Sequence, residues 1–308
     1  MKIASEISKY YLFDEDEIRR AIEHPEPHYK KVDIEQTNGD KRFIFAPSKV
    51  MKMCQTYLLK HYLCELVYSE HAFAYTKKRS IVNCAEIHVG NKHFLHLDIR
   101  HFFDNIDWGI FCKKVLSHDP KSKMASLLIN EPEFCKNILC LNGRFCQGSV
   151  TSPYVSNYFL KDFDNDLNNY IVTSLENGKY SRYSDDVYIS SSTKIDSSIV
   201  SFVIQLLRRD KLRINYKKIR FSSIGDSIKI LGVTVTRHSK ITLNTKYKNM
   251  VKRLLYKALI TPEKVDKKRL IGLMYYSYMV DPFFFNQLQT KYSSDGKLAL
   301  TRILEIEE

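Results

Sequence analysis

Hydrophobic and polar positions alternate in the segment HFLHLDI, near the end of the first third of the chain. Leu95, Leu97 and Ile99 fall on one face, and His96 and Asp98 fall on the other. Alternation of this kind predicts a strand with one buried side. Asp98 is therefore expected near the end of a strand, on its polar face.

Further segments show strand or helix periodicity. YKKVDIEQ and KRFIFAP are predicted strands, joined at TNGD by an Asn-Gly turn. KVMKMCQTYLLKHYLCELV and SPYVSNYFLKDFDNDLNNYI are predicted helices. KYSRYSDDVYISSS reads as two strands around a tight turn that holds Asp185 and Asp186, and IKILGVTVTRHSKITL as another hairpin. Because no regular βαβ repeat is present, an antiparallel α+β fold is predicted.

Charge is unevenly distributed along the chain. The totals of 48 Lys+Arg and 35 Asp+Glu give a formal net charge of +13. The segment from Ser201 to Ile260 holds fifteen basic and two acidic residues, so it carries the whole surplus. A localised basic face predicts contacts with phosphates that are independent of base sequence and sensitive to salt. The pattern also becomes mostly helical and Lys-rich after about Thr245.

Several classes of protein are disfavoured. The best apolar run, IGLMYYSYMV, has ten residues, whereas a membrane span needs about 20. The N-terminal MKIASEISKYYLFDEDEIRR has no apolar signal core and is predicted to form a short amphipathic helix. Seven cysteines without a CxxC pair fit reduced thiols better than a disulfide framework. A cytoplasmic globular protein with no membrane partner is predicted.

The candidate chemistry lies in three carboxylates. Asp185 and Asp186 are adjacent in a predicted turn, where they repel each other unless a cation compensates them. Strand pairing could bring Asp98 to the same edge. Such clusters suit Mg²⁺, and two ions about 4 Å apart can clamp the oxygens of a phosphoryl displacement. The alternative is that the Asp pair forms a solvated turn, since Asp is a common turn residue.

Five segments, in order, resemble the motifs of reverse transcriptases. HLDIRHFFDNI resembles the DIxxFFxxI motif, CQGSVTSPYVSN the QGxxxSP motif and YSDD the YxDD box. RINYKKI resembles the following Nxx(K) motif, and KILGV resembles the LG segment that grips the primer. The resemblance covers roughly residues 29 to 292. It implies a right-hand polymerase with fingers, an antiparallel-sheet palm carrying the YSDD hairpin, and a small helical thumb.

The chain is most similar to the retron group of this family. KRFIFAPSKVMKMCQ, RSIVNCAEIHVGNKHFLHLDI and LIGLMYYSYMVDPFFFNQLQTKY resemble retron segments of the fingers, the region before the first catalytic Asp, and the thumb. Cys84 stands where the retron NAxxH box has Asn, although Ala85 and His88 fit it. Leu231 stands where retrons usually have the Thr of a VTG triplet, and Ser184 replaces the commoner Ala of YADD. The first two departures bear on the subgroup and not on the polymerase.

The resemblance also implies a division of the chain. A helical extension is expected over residues 1–28, fingers and palm over 29–244, and a helical thumb over 245–308. No room is left for an RNase H, protease or maturase domain.

The resemblance implies that Asp98 and Asp185 are the main ligands of two Mg²⁺ ions. Asp186 is the implied auxiliary carboxylate, and the Ile99 carbonyl is a further ligand. Phe103 is expected under the sugar of the incoming dNTP, where it excludes a 2′-OH. Core packing within the FF pair is the alternative for Phe103.

Other residues receive binding roles by the same resemblance. Arg42 is expected to hold the triphosphate, or else to be a solvated Arg at a strand edge. Gln147 is expected to contact the nucleotide or the template base pair, and Gly148 to allow close approach of the backbone. Lys218 is expected near the leaving pyrophosphate, with Asn215 as a structural companion. Backbone binding is the alternative for Lys218.

The primer and its template are assigned to the later part of the chain. Leu231 and Gly232 belong to the implied primer grip. The first thumb helix, NTKYKNMVKRLLYKALI, carries a possible cationic stripe along the duplex, formed by Lys246, Lys252, Arg253 and Lys257. The aromatic residues Tyr275, Tyr276, Tyr278 and Phe283–Phe285 either stack on bases or form the thumb core.

A metal-hydrolase reading rests on four histidines, His88, His93, His96 and His101. Strand alternation argues against it, because residues 93 and 96 are three apart and point to opposite faces.

Retron resemblance implies a dedicated noncoding RNA template, priming from a 2′-OH of that RNA and a branched RNA–DNA product. It also implies antiphage defence with an effector protein. A defence-associated or intron-like reverse transcriptase outside the retrons is an alternative. A catalytically silent RNA-binding protein is another, which the intact Asp residues disfavour.

Overall fold

The computed structural model describes residues 2–305 apart from 36–40, 224, 226–227, 237 and 262, and it describes no side chain at 35, 41 and 42. Its helices are α1 (Lys2–Tyr11), α2 (Glu15–Glu23), α3 (Lys49–His61), α4 (Ile81–Glu86), α5 (Trp108–His118), α6 (Lys123–Asn130), α7 (Pro132–Leu139), α8 (Ser152–Phe159), α9 (Lys161–Ser174), α10 (Ser198–Arg209), α11 (Thr245–Leu259), α12 (Lys267–Val280), α13 (Pro282–Lys291) and α14 (Ala299–Leu304). Its strands are β1 (Tyr29–Glu35), β2 (Lys41–Pro47), β3 (His93–Asp98), β4 (Lys179–Tyr183), β5 (Asp186–Ser191), β6 (Arg220–Ser223), β7 (Ile228–Ile230), β8 (Val233–Val235) and β9 (Ile241–Leu243).

Three antiparallel sheets confirm the predicted α+β class. Strands β1 and β2 form a hairpin whose predicted Asn-Gly turn lies outside the described residues. The central sheet has the order β4-β5-β3-β6. Strands β7, β8 and β9 form a small third sheet. This segment was predicted as a single hairpin, but it contains two turns and therefore makes three strands.

Two predicted helices are interrupted. The N-terminal helix is two helices, because Leu12 adopts a positive φ of 51° and the Asp14 side chain then caps α2 by accepting from the Glu17 N–H. The predicted helix from residue 152 is likewise divided at Leu160 into α8 and α9. No helix within the described ranges combines the length and apolarity that crossing a membrane requires.

The central sheet separates two hydrophobic cores. Its back face contributes Leu95, Leu97 and Ile99 to the main core, which also receives α1–α3 and α5–α10. The buried face predicted by alternation in β3 is thus confirmed. On the front face, Phe94 and Tyr188 belong to a second core with α4, the third sheet and α11–α14. Asp98 and Asp186 lie on the same front face, at the end of β3 and at the start of β5.

Candidate active site

The turn between β4 and β5 consists of Ser184 and Asp185. Ser184 adopts a positive φ of 58°, in the left-handed region. Asp186 does not lie in the turn as the sequence pattern suggested. It is the first residue of β5 and lies opposite Tyr183. The two acids of YSDD therefore have different backbone environments.

Strand pairing brings the three aspartates to one edge of the sheet. Asp98 lies directly opposite Asp186 in the β3–β5 register. The Ile99 N–H donates to the Asp185 carbonyl at 2.9 Å. Residues opposite each other in an antiparallel pair project from the same face. The Asp98 and Asp186 carboxylates therefore share the front face, with Asp185 beside them in the turn.

Lys218 compensates the charge of Asp98. Its Nζ donates to Asp98 Oδ2 at 2.5 Å, and the Asn215 N–H donates to the Asp98 carbonyl at 2.8 Å. A 3₁₀ turn at 216–218 thereby places the ammonium at the carboxylate edge. Burial alone lowers the pKa of Lys218, but the hydrogen bond to Asp98 and the charges of all three aspartates raise it overall.

Asp186 also has a basic partner, which the sequence reasoning missed. His96 Nε2 lies 2.7 Å from Asp186 Oδ1. The signal for it was available, because His96 precedes Asp98 by two residues and must share its face. Only the pairing of β3 with β5 shows that the imidazole reaches Asp186.

The three aspartates supply only oxygen donors, which is the chemistry that a hard divalent cation prefers. In the described part of the chain, no three His, Cys, Asp or Glu side chains are arranged as a ready metal site. Asp98 and Asp186 are instead hydrogen-bonded to Lys218 and His96. The donor types fit Mg²⁺, with these two basic side chains next to it.

A buried ion pair supports the turn from behind. Arg182 Nε and Nη2 donate to Asp164 Oδ1 and Oδ2 at 2.7 and 2.8 Å, and both side chains are 0% exposed. The Tyr180 hydroxyl donates to the same carboxylate at 2.6 Å. Arg182 Nη1 donates to the Ser184 carbonyl at 3.0 Å. The position of the YSDD turn therefore depends on a charge pair on the back of the sheet.

Helix α4 and the turn that follows it pack against the front of the same hairpin. His88 Nδ1 and Nε2 lie 2.8 Å from the hydroxyls of Ser190 and Ser181, on β5 and β4. Cys84 Sγ lies 3.1 Å from the Ser181 hydroxyl. Burial raises the pKa of Cys84 to about 12, so the thiol stays protonated. Cys84, which stands in place of the Asn of the NAxxH box, thus makes a polar contact with β4.

Stability should fall in acid because of His88. Burial lowers the pKa of His88 to about 3, while an unfolded His titrates near 6.5. Between these pH values the unfolded chain binds a proton that the native state does not. Lowering the pH through this window should therefore cost up to about 1.4 kcal/mol per pH unit.

Urea unfolding of wild type and His88→Gln between pH 7 and 4.5 checks this. The variant should lose less stability per pH unit than wild type, because other titrating groups are common to both. Parallel curves would contradict the assignment to His88.

The loop with Gln147 and Gly148 packs against the β1–β2 hairpin. The Phe45 N–H donates to the Gln147 carbonyl at 2.8 Å. Gly148 has φ +102°, and a Cβ there would lie 2.5 Å from the Phe45 carbonyl oxygen. The close approach predicted for Gly148 is thus an approach to the backbone of β2.

Gly148→Ala is expected to destabilise the protein by about 2–3 kcal/mol, from positive φ plus the clash with Phe45. Gly143→Ala is the control for φ alone. Gly143 has φ +73°, and its nearest neighbour to an added Cβ is Lys136 Cε at 4.0 Å. Thermal unfolding compares the two variants. Equal losses of stability in the two variants would show that the Phe45 backbone moves away from the added methyl group at no measurable cost.

Phe103 and Arg42 are the two remaining residues that were predicted to contact the nucleotide. Phe103 is only 7% exposed but is not part of the main core, whereas its neighbour Phe102 is. The two rings lie 5.4 Å apart. Phe103 is therefore a buried ring packed against Phe102, so packing within the pair and a place under the nucleotide sugar both remain open. The Arg42 side chain lies outside the described residues, and its backbone belongs to β2.

Leu231 and Gly232 form the two-residue turn between β7 and β8. Both have positive φ, 51° and 85°. The Leu231 N–H donates to the Tyr188 hydroxyl at 3.4 Å. The implied primer grip is therefore connected to β5, the strand that begins with Asp186.

The four cations predicted as a stripe on α11 do not share one environment. Lys246 and Arg253 are exposed and seven residues apart, which places them on one face. Lys252 is exposed as well, and its Nζ lies 5.7 Å from the centre of the Phe284 ring. Lys257 forms an ion pair with Glu263. Other cations of the basic segment pair with Asp side chains, namely Arg209, Lys211, Lys218 and Lys248.

The aromatic residues of the last helices are similarly divided. Tyr275, Tyr278 and Phe283 are exposed at 57%, 58% and 73%. Phe284 is buried in the second core, and Tyr276 and Phe285 pack against it. The exposed rings are accessible for stacking on bases, whereas the buried rings pack in the second core.

Comparison with known proteins yields a consistent group. Residues 29–235 match the family described as Reverse transcriptase (RNA-dependent DNA polymerase). The Retron Ec73 reverse transcriptase of Escherichia coli is 27% identical over 315 residues, 96% of this chain and 97% of that protein. The Retron Ec83 reverse transcriptase of the same species is 25% identical, over 87% and 88%. Telomerase from Candida albicans with a fragment of telomeric RNA has a TM-score of 0.49 at 12% identity, covering 89% of this chain and 62% of its own.

Proposed function

This chain belongs to the reverse transcriptase family and is an RNA-directed DNA polymerase, and from that premise we propose that it is a retron-type enzyme that copies a cognate structured noncoding RNA. The named retron relatives, which align over nearly the whole chain, support the subgroup. Cys84 and Leu231 still differ from the residues that retron enzymes usually have at these two positions.

The carboxylate edge is the observation that carries the catalytic part of the proposal. Asp98 opposite Asp186, with Asp185 in the adjoining turn, presents an oxygen-only donor set at one end of the front face. With the Ile99 carbonyl, these residues would hold two Mg²⁺ ions, which supply charge neutralisation for the attacking hydroxyl and the triphosphate when bound. The β3–β5 register keeps the carboxylates in place before substrate arrives.

Basic and apolar residues around this edge would handle the nucleotide. Lys218, whose Nζ donates to Asp98, would donate toward the leaving pyrophosphate. Arg42 would hold the triphosphate, and Gln147 with Gly148 would contact the nascent base pair. Phe103 would lie under the sugar. Each of these assignments is part of the proposal.

Phe103→Ala should admit ribonucleotides. Removing the ring opens the space in which a 2′-OH would clash, so discrimination between dNTP and rNTP should fall by about 10- to 100-fold. Single-nucleotide incorporation with each substrate measures this ratio. Phe102→Leu, a change in the main core, should leave the ratio unchanged. A ratio preserved in Phe103→Ala would assign Phe103 to packing alone.

The duplex would leave along the third sheet and α11. Lys246 and Arg253 share an exposed face of that helix, and Leu231 with Gly232 would hold the primer end. Contacts to phosphates are independent of base sequence. An A-form duplex would be recognised by its shape and 2′-OH groups.

We further propose that the enzyme primes from a 2′-OH of its template RNA, yields a branched RNA–DNA molecule and acts in antiphage defence with an effector protein. The test is to express the gene with its genomic neighbourhood, purify the protein and treat the bound nucleic acid with RNase and DNase separately. A short RNA joined to DNA through a nuclease-resistant branch is the expected result.

Other outcomes separate the alternatives. Unbranched DNA would indicate a reverse transcriptase outside the retron group with another primer. Bound RNA without any DNA, from a protein that also fails to extend an added primer, would indicate an RNA-binding protein without polymerase activity.

A further inference from the structure

We propose that His96 and Tyr188 are positioning residues, which orient the Asp186 carboxylate and connect it to the turn at Leu231. This inference rests on the proposed function, because it assumes that Asp186 serves the catalytic edge. It assigns a task to two side chains that the motifs leave without one.

The contact between His96 and Asp186 fixes one carboxylate oxygen. Their Nε2 and Oδ1 atoms are 2.7 Å apart. Because an ionised carboxylate only accepts, the imidazole must carry its proton on Nε2. Within the described residues, Asp186 Oδ2 has no hydrogen bond of its own. The imidazole thus holds Oδ1 and leaves Oδ2 available to another ligand.

Tyr188 fixes the plane of the imidazole. The two residues are directly opposite each other in the β3–β5 register. Their ring centroids are 4.7 Å apart with an angle of 13° between the planes. Tyr188 itself is 7% exposed and belongs to the second core. A buried ring therefore limits rotation of the histidine that bonds Asp186.

Tyr188 also reaches the predicted primer grip. Its hydroxyl accepts from the Leu231 N–H at 3.4 Å. Leu231 is held at φ +51°, a conformation that L-residues avoid. Contacts with neighbouring residues must therefore help to retain the turn. The continuous series Asp186–His96–Tyr188–Leu231 links the carboxylate edge to the place where the primer end is expected.

Three variants separate the contacts. His96→Phe keeps a ring over Tyr188 but removes the N–H, whereas His96→Gln keeps a donor and removes the ring. Tyr188→Phe keeps the stack and removes the hydroxyl. His93→Phe is the matched control on the same strand, because His93 is partly exposed and has no side-chain hydrogen bond within the described residues.

Binding of Mn²⁺ to the full-length protein, followed by electron paramagnetic resonance, gives a readout independent of turnover. Loss of an outer-shell partner commonly costs 10- to 100-fold in metal affinity. His96→Phe should weaken Mn²⁺ binding by about 10-fold and raise the Mg²⁺ needed for synthesis similarly. His96→Gln should recover most of the affinity. Tyr188→Phe should mainly raise KM for the primer–template and change Mn²⁺ binding by less than about 2-fold.

A Mn²⁺ affinity in His96→Phe equal to that of His93→Phe would overturn the proposal. If His96→Phe does not fold, Tyr188→Phe carries the test, and a primer–template KM equal to that of wild type would then overturn the proposal. A double variant adds a further check. In an Asp186→Asn background, His96→Phe should weaken Mn²⁺ binding no further, and an additive loss would show that His96 does not act through Asp186.

Failure of this inference can be told from failure of the proposed function. If Asp185→Asn abolishes synthesis but His96→Phe changes neither metal binding nor the Mg²⁺ requirement, only the positioning role is wrong. If Asp185→Asn synthesises DNA normally, the carboxylate edge is not the active site and the inference is overturned with it.

Discussion

Asp185→Asn is expected to lower incorporation of dNTPs by at least about 10³-fold while leaving RNA binding within about 2-fold. The substitution keeps the size of the side chain and removes the charge that the proposed metal site requires. Metal ions contribute several kcal/mol of charge stabilisation in such reactions, and each 1.4 kcal/mol or so is tenfold in rate. Primer extension and filter binding on the same preparation measure the two quantities.

Ser184→Ala is the matched control in the same turn. Ala is the residue expected there from the resemblance to the YADD box. Within the described residues, the Ser184 hydroxyl makes one long contact, of 3.4 Å, with the Tyr75 hydroxyl. Its activity should stay within about 2-fold of wild type, since no catalytic group is lost. Full synthesis by Asp185→Asn would mean that the active site lies elsewhere.

Asp164→Asn is expected to destabilise the protein by about 3–5 kcal/mol. Asn is nearly isosteric with Asp, so no cavity forms, but Arg182 is left charged and buried without its partner. In the wild type the charge and hydrogen bond of Asp164 raise the pKa of Arg182 despite its burial. Without Asp164 the guanidinium still keeps its proton, because arginine is effectively never deprotonated in proteins. Because Arg182 also donates to the Ser184 carbonyl, DNA synthesis should fall even where the variant remains folded.

Asp166→Asn tests the same change two residues along α9. Asp166 pairs with Arg209, and both side chains are largely exposed at 44% and 54%. Exposed pairs are worth about 0–1 kcal/mol, so its stability should hardly change. Urea unfolding of both variants provides the comparison. A loss below about 1 kcal/mol in Asp164→Asn would show that water or another group compensates Arg182.

Local patterns predicted much of the fold and the choice of catalytic residues. The buried side of β3, the β1–β2 pairing and the strands around YSDD follow from alternation and turn residues, which act over a few neighbouring positions. The family motifs are also local strings, so Asp98, Asp185 and Asp186 could be proposed from the sequence alone.

The basic segment shows where sequence patterns stop being sufficient. The sequence locates the +13 surplus between Ser201 and Ile260. It does not show that Lys218 is held by Asp98 or that Lys248 is held by Asp281. These pairs join residues 120 and 33 positions apart. Folding therefore commits part of the surplus to ion pairs within the chain, and leaves Lys246, Lys252 and Arg253 exposed on α11.

The sequence by itself determined the class of fold, the family and the three candidate carboxylates, because periodicity and motifs are properties of short segments. Tertiary structure alone decided what surrounds those carboxylates. His96 reaches Asp186 only because β3 pairs with β5, and Gly148 is constrained only because its loop crosses β2. Arg182 meets Asp164 only where α9 packs behind the sheet. Such contacts depend on strand order and helix packing, which residues distant in the chain determine together.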